Sequence, residues 1–192
     1  MQDLVLASTS PRRKELLQKL NIPFITFAPN VNESISLDRS PQDIVMTLSL
    51  RKANAALNTY PDSIIIGSDT IVVSGGKVLG KPDNEEDAKQ MLKQLSGQVH
   101  SVYTGVTIID STECISFFEK TDVEFWTLED VEIEQYVESG EPLDKAGAYG
   151  IQGLGALLVK SIQGDYYSVV GLPISRLARS LRRKGFFFQS KR

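Results

Sequence analysis

Four residues near the start of the chain gather donors and positive charge into one turn: Ser8, Ser10, Arg12 and Arg13. Ser10 followed by Pro11 is the pattern of a helix N-cap and first helical residue. Three cations, Arg12, Arg13 and Lys14, then open that helix. The start of a helix is the positive end of its dipole, so cations are unfavourable there unless an anion joins them. Hydroxyls, backbone N–H groups and guanidinium groups in one turn suit a phosphate. The plainer reading is an N-capped helix with solvated arginines. Ser40-Pro41 repeats the helix start, but no arginine follows it directly.

A second group centres on Asp69, in Gly67-Ser68-Asp69-Thr70 within the apolar run from Ile64 to Val73. A carboxylate buried in such a run is costly unless it is paired or binds a metal. Asp69 is therefore a candidate general base or metal ligand; the other reading is a turn aspartate after Gly67. Glu33, in the polar loop from Pro29 to Arg39, and Asp144 add further oxygen donors of the kind that suit Mg²⁺ or Mn²⁺. Lys52 and Lys81, the latter between Gly80 and Pro82, are each either a point contact for a phosphate or a surface lysine. Glycines 147, 150 and 153 would let a ligand approach the backbone, or they mark a loop without a role. Between them, the Gln152 amide can donate and accept together and so read a base edge. The spacing is not the Rossmann fingerprint.

Other chemistries lack material. His100 is the sole histidine and Cys114 the sole cysteine, so a Ser-His-Asp triad, a histidine-rich zinc site and an intrachain disulfide fall away. His100 reads as structural, and Cys114 as a buried or strand-edge thiol. A net charge of -3 and a pI near 5.3 argue against a dedicated nucleic-acid binder. No signal peptide is visible, and no apolar run approaches the ~20 residues of a membrane helix. The expectation is a soluble cytoplasmic protein. Cations for phosphate and carboxylates for a divalent ion make a nucleotide or another polyphosphate the natural substrate.

The elements that must carry these residues alternate. Leu4 to Ala7 reads as a strand, Arg13 to Leu20 as a helix and Phe24 to Phe27 as a strand. A helix runs from Ser40 to about Asn58, and β segments flank Gly67 to Thr70. Ser74-Gly75-Gly76-Lys77 is a hairpin turn. A helix capped at Asn84 to Asp87 extends to Leu95, and β pattern runs from Val99 to Phe125 with a turn near Asp110. Thr127 to Glu138 is a helix with a capping box from Thr127 to Asp130. Ala156 to Ile162 and Tyr166 to Val170 read as a hairpin, and Pro173 to Lys184 as a final helix. The tail from Phe186 to Arg192 is an apolar docking strand or a frayed end. The 192 residues fit a single α/β domain, a mixed sheet flanked by helices with room for two lobes.

In order along nearly the whole chain, these segments resemble one family, the Maf nucleoside triphosphate pyrophosphatases. The matching pieces include Ser8-Thr9-Ser10-Pro11-Arg12-Arg13-Lys14-Glu15-Leu16-Leu17, Lys52-Ala53, Ile66-Gly67-Ser68-Asp69-Thr70 and Gly80-Lys81-Pro82. Leu95-Ser96-Gly97, Val102-Tyr103-Thr104-Gly105-Val106, the segment from Gly140 to Gly153 and Val170-Gly171-Leu172-Pro173 continue them. Arg12, Thr70 and Gln152 make it look like the branch acting on dTTP and UTP rather than that acting on 7-methyl-GTP. The resemblance implies an elongated mixed sheet related to the inosine triphosphate pyrophosphatases, with two lobes about a central cleft. It also implies a homodimer, a divalent cation (Mg²⁺, Mn²⁺ or Co²⁺) and hydrolysis between the α and β phosphates in a nucleotide-pool housecleaning role.

On that reading Asp69 is the proton acceptor and shares the cation with Glu33. Ser8, Ser10, Arg12, Arg13, Lys52 and Lys81 hold the phosphates, and Arg12, Thr70 and Gln152 set specificity. The competing class is a regulator of septum formation and cell division acting by nucleic-acid or protein binding. Its sequence feature is the basic side made by Arg176, Arg179, Arg182, Arg183 and Lys184, which also reads as cations favourably placed at a helix C-terminus. A kinase or phosphatase would instead transfer or release single phosphates.

Overall fold

A computed structural model describes residues 2–34 and 39–187. Its elements are β1 (Leu4–Ala7), α1 (Pro11–Gln18), β2 (Ile25–Phe27), α2 (Pro41–Leu57), β3 (Ile64–Ser74), β4 (Lys77–Leu79), α3 (Glu85–Leu95) and β5 (Val99–Ile109). There follow β6 (Cys114–Phe125), α4 (Asp130–Glu138), β7 (Val159–Gln163), α5 (Tyr166–Val170) and α6 (Ile174–Arg183). The sheet is mixed and seven-stranded, in the order β2-β1-β3-β5-β6-β7, with β4 paired to β3. β1 runs parallel to β2 and to β3, whereas β4 and β7 join antiparallel. This is the expected α/β class.

The chain divides into two compact units. The first comprises Met1–Asp69, Thr104–Glu119 and Gly171–Arg192; the second comprises Thr70–Tyr103 and Lys120–Val170. In the first unit, β1 and the start of β3 are almost wholly buried and read as continuous apolar runs, as parallel strands covered on both faces do. α2 covers them. Two glycines make this approach possible. A Cβ on Gly67 of β3 would lie 2.2 Å from the Ser49 carbonyl oxygen, and one on Gly105 of β5 would lie 2.4 Å from that of Val45. The helix backbone thus rests on strand positions that have no side chain.

Local signals set the element ends. Ser10, Ser40 and Asn84 each cap a helix by accepting the N–H three residues on. Gly75 and Gly76, both with positive φ, make the β3–β4 turn. Two expectations change, and at two further places one of two alternatives falls away. The β run expected from Ile64 to Val73 is one continuous strand through Gly67 to Thr70, and the turn alternative falls, because Gly67 serves helix approach rather than chain reversal. α4 starts after Glu129, whose side chain and that of Glu132 form the capping box, not Thr127 and Asp130. Tyr166 to Val170 is a short helix rather than the second arm of a hairpin. Asp165 initiates it, its carboxylate accepting the Tyr167 N–H and its carbonyl accepting the Ser168 N–H, while β7 pairs with β6 instead. Cys114 opens β6 and is exposed, so of its two readings the strand-edge thiol stands and the buried one falls. The tail beyond residue 187, and residues 35–38 of the loop that carries Glu33, lie outside the described residues.

Candidate active site

α2 brings Lys52 inward. Val45, Leu48, Ser49, Lys52, Ala53 and Ala56 are all buried, so the lysine stands on the helix face that covers the sheet. That spacing was the signal that Lys52 is not a surface lysine. It is 7% exposed, as is Asp69 on β3, and its Nζ donates to Asp69 Oδ1 at 2.5 Å. The same ammonium meets Glu33 Oε1 at 2.8 Å, whose side chain is 61% exposed. Asp69 is therefore the paired carboxylate that the apolar run demanded, and Glu33 joins it from a loop. Removing Lys52 alone would leave a buried charge without its partner, at about 3–5 kcal/mol.

The loop carrying Glu33 is held by the residue next to Lys52. Arg51 donates from Nη1 to the carbonyls of Asn32 and Ser34, both at 2.9 Å, on either side of Glu33. The Asn32 side chain also accepts the Ser34 N–H at 2.7 Å. The sequence reading missed Arg51. Consecutive basic residues on a helix point about 100° apart, which lets one face the sheet and the other the loop.

The turn from Ser8 to Arg13 is built as the sequence implies. Ser10 Oγ accepts the Arg13 N–H, and Ser8 Oγ accepts the Ser10 N–H at 3.2 Å. Arg13 is half-buried and donates from Nε to the Gly171 carbonyl at 2.8 Å. The hydroxyl of Ser68, next to Asp69, donates to the same carbonyl at 3.1 Å. Gly171 thus fixes the guanidinium close to the Asp69 strand, a link that the motif Val170-Gly171-Leu172-Pro173 did not reveal. Loss of hydration pulls Arg13 down from its ordinary pKa, and the negative charges of Asp69 and Glu33 oppose that shift while Arg12 adds to it. The group remains a cation. Ser8, Ser10, Arg12, Arg13, Glu33, Lys52 and Asp69 all belong to the first unit. They bring hydroxyls, guanidinium groups and an ammonium-bridged pair of carboxylates to one region.

Thr70, Lys81 and Gln152 belong to the second unit. Thr70 is half-buried; Lys81 and Gln152 are exposed. The Gly147 N–H donates to the Gly80 carbonyl at 2.9 Å, tying the loop of Lys81 to the glycine-rich segment. Tyr149 anchors that segment, its hydroxyl 2.8 Å from His100 Nε2 and its ring edge-on to His100 and Phe125. Burial lowers the His100 pKa from 6.5 to about 4 against the opposing charge of Asp122, so the imidazole is a neutral structural group. The glycines serve the protein's own packing. A Cβ on Gly147 would press on Val72, one on Gly150 on the Lys145 side chain, and one on Gly153 would lie 2.3 Å from Glu141 Oε2.

The basic side of α6 is partly committed within the first unit. Arg176 donates to Glu119 at 2.7 Å and stacks on Phe117. Lys184 donates to the buried Asp110 at 2.8 Å. Burial favours the neutral acid of Asp110, but the hydrogen bonds from Lys184, Thr112 and Glu113 outweigh it and hold the carboxyl well below the usual range.

Oxygen donors suit a hard divalent cation, and Mg²⁺ commonly takes one or two carboxylates and completes its shell with water and substrate phosphates. Among the described residues no group of three or more candidate ligands occurs. Glu33 and Asp69 already converge on a cation, the Lys52 ammonium, so a pair of this kind fits such an ion. Among the described residues no helix is long and apolar enough to cross a membrane.

A model of the Maf-like protein family matches residues 3–184. Over 183 residues, 95% of this chain and 96% of the relative, the chain is 55% identical to a Bacillus cereus (strain G9842) protein named dTTP/UTP pyrophosphatase. Proteins of the same name from Bacillus thuringiensis subsp. konkukian (strain 97-27) and Bacillus mycoides (strain KBAB4) are 55% and 53% identical over the same spans.

Proposed function

The chain belongs to the Maf-like protein family, and from that membership we propose that it hydrolyses dTTP and UTP to the nucleoside monophosphate and pyrophosphate. The observation that carries this reading is the Lys52 bridge between Asp69 and Glu33, with Arg13 held to the Asp69 strand through Gly171. It joins an acceptor for a proton to groups that hold phosphate charge.

Asp69 takes a proton from a water molecule as the water oxygen bonds to the α phosphorus. The bond from that phosphorus to the bridging oxygen breaks, and pyrophosphate departs with the electron pair. General base catalysis of this kind contributes roughly 10²- to 10⁴-fold. Ser8, Ser10, Arg12, Arg13 and Lys52 orient the triphosphate, and the guanidinium groups act most strongly as charge accumulates on the departing pyrophosphate. Lys81 adds a further point charge. Glu33 and Asp69 would hold Mg²⁺, Mn²⁺ or Co²⁺, which when bound neutralises phosphate charge. Arg12, Thr70 and Gln152 select the base. The pairing edge of uracil or thymine offers two carbonyls and one N–H, a pattern that an amide answers. The same reading carries a homodimer and a cytoplasmic site of action, where nucleotide pools are kept clear of unwanted triphosphates.

The test is a panel of nucleoside triphosphates with each of the three metals, with pyrophosphate separated from orthophosphate among the products. UMP and pyrophosphate from UTP are expected. Orthophosphate with UDP would replace this reading by a phosphatase.

A further inference from the structure

The Glu141 carboxylate is turned toward main-chain and hydroxyl donors of the glycine-rich segment. Oε1 accepts from the Tyr136 hydroxyl at 3.0 Å and from the Gly155 N–H at 3.3 Å; Oε2 accepts from the Leu154 N–H at 2.9 Å. The Tyr136 hydroxyl in turn accepts from the Gly150 N–H at 3.1 Å. Both arms of the segment around Gln152 are therefore gathered onto one carboxylate and one phenol. Three donors face Glu141, and an ionised carboxylate offers acceptors only, so each donor is met. Bonds of this kind to a charged acceptor are roughly twice as strong as neutral ones. The Leu154 and Gly155 N–H groups also open the 3₁₀ turn Leu154–Leu158, where a negative charge is favourable.

The base of this arrangement is stiff. Tyr136 is almost wholly buried on α4, and Glu141 follows Gly140, which holds φ at 72°. Gly153 and Gly155 leave no room for a side chain beside Glu141 and Tyr136. Only the Gln152 side chain at the tip needs to face outward, and that residue is exposed.

We infer that Glu141 is the positioning residue for base selection: it fixes the main chain on both sides of Gln152 and so presents the Gln152 amide to the pyrimidine in one orientation. The inference rests on the proposal that Gln152 reads the base, and the experiment separates the two. The quantity read is the ratio of kcat/KM for UTP to that for CTP, in Gln152→Ala, Glu141→Ala, Glu141→Gln and the double variant Glu141→Ala/Gln152→Ala.

Loss of one hydrogen-bonded base contact lowers the ratio by about 30-fold in Gln152→Ala. Glu141→Ala lowers it by a similar factor, and the double variant falls no further, because one residue acts through the other. Glu141→Gln keeps an acceptor for Leu154 but sets an NH₂ against another donor, so its ratio lies between. A merely structural role for Glu141 would lower both substrates alike and leave the ratio within twofold of wild type. That result, with the ratio collapsed in Gln152→Ala, overturns the inference and leaves base reading by Gln152 in place. An unchanged ratio in Gln152→Ala removes that base reading, and the inference falls with it. Should Glu141→Ala not fold, a ratio within twofold of wild type in Glu141→Gln overturns the inference equally.

Discussion

The first unit ties Lys52, Asp69 and Glu33 together as one cation between two carboxylates, whereas the second gathers the main chain around Gln152 onto one carboxylate and one phenol. Lys52, on a helix seated against glycines, pairs with Asp69 on β3 and with Glu33 on its loop. Around Gln152 the Glu141 carboxylate and the Tyr136 hydroxyl accept main-chain N–H groups on both sides, with the Tyr149–His100 contact and the Gly147–Gly80 bond further along the segment. Charge acts through distance and tolerates a change of nucleotide, because every triphosphate carries the same phosphates. Hydrogen bonds depend on direction and leave a wrong base with unpaired polar groups. On the proposed roles, turnover should track the ion-paired groups around Lys52, and choice of base should respond to the main-chain bonds that hold Gln152, with Arg12 the first-unit residue that also bears on the base.

The largest expected effect separates them directly. Asp69→Asn keeps the shape of the side chain but removes the proposed proton acceptor, and kcat for UTP should fall by about 10³-fold. The UTP-to-CTP ratio of what remains should stay near the wild-type value; steady-state kinetics with both nucleotides checks this, and near-normal turnover would unseat Asp69.

Acid should loosen the second unit in particular. Above pH 6.5 His100 is neutral in both folded and unfolded chains, and its full contribution to stability is present. As pH falls through 6.5 the unfolded chain binds the proton first, and the loss grows until the folded imidazole also protonates near 4. The total is about 3 kcal/mol. Urea midpoints between pH 7.5 and 4 should show the decline in wild type, and Gln in place of His100 should flatten it. Equal slopes would show that other groups carry the acid sensitivity.

Gly67→Ala attacks the first unit through its frame. The new Cβ would lie 2.2 Å from the Ser49 carbonyl, so α2 must move, at about 2–3 kcal/mol for such overpacking. Urea unfolding gives the cost, and turnover should drop while base preference holds. The smallest effect belongs to the rim. Arg176→Met removes an exposed pair with Glu119 and a stacking contact with Phe117, which costs about 1 kcal/mol or less. Neither turnover nor preference should change.

Much of this arrangement is written locally in the chain. Ser10, Ser40 and Asn84 announce their helices through capping chemistry, and paired glycines after Ser74 announce a reversal. Asp69 stands out because a carboxylate in an apolar strand needs a partner. Other features depend on contacts between residues far apart in sequence. Gly67 reads locally as a breaker, yet it exists for Ser49 and Ala53. Tyr166 to Val170 has strand composition but forms a helix that begins at Asp165. Glycines 147, 150 and 153 suggest room for a ligand until Val72, Lys145 and Glu141 are seen to fill it. The Gly171 carbonyl that orients Arg13 lies 158 residues away, beyond any local pattern.

Where α2 crosses Gly67 and Gly105, main chain meets main chain. Side chains at such a crossing could hop between rotamers and absorb a displacement; peptide groups have no equivalent freedom. The helix is seated like a shaft on two bare bearings. A substitution that needs room at either crossing must shift the helix backbone itself, and with it the helix turn that carries Lys52.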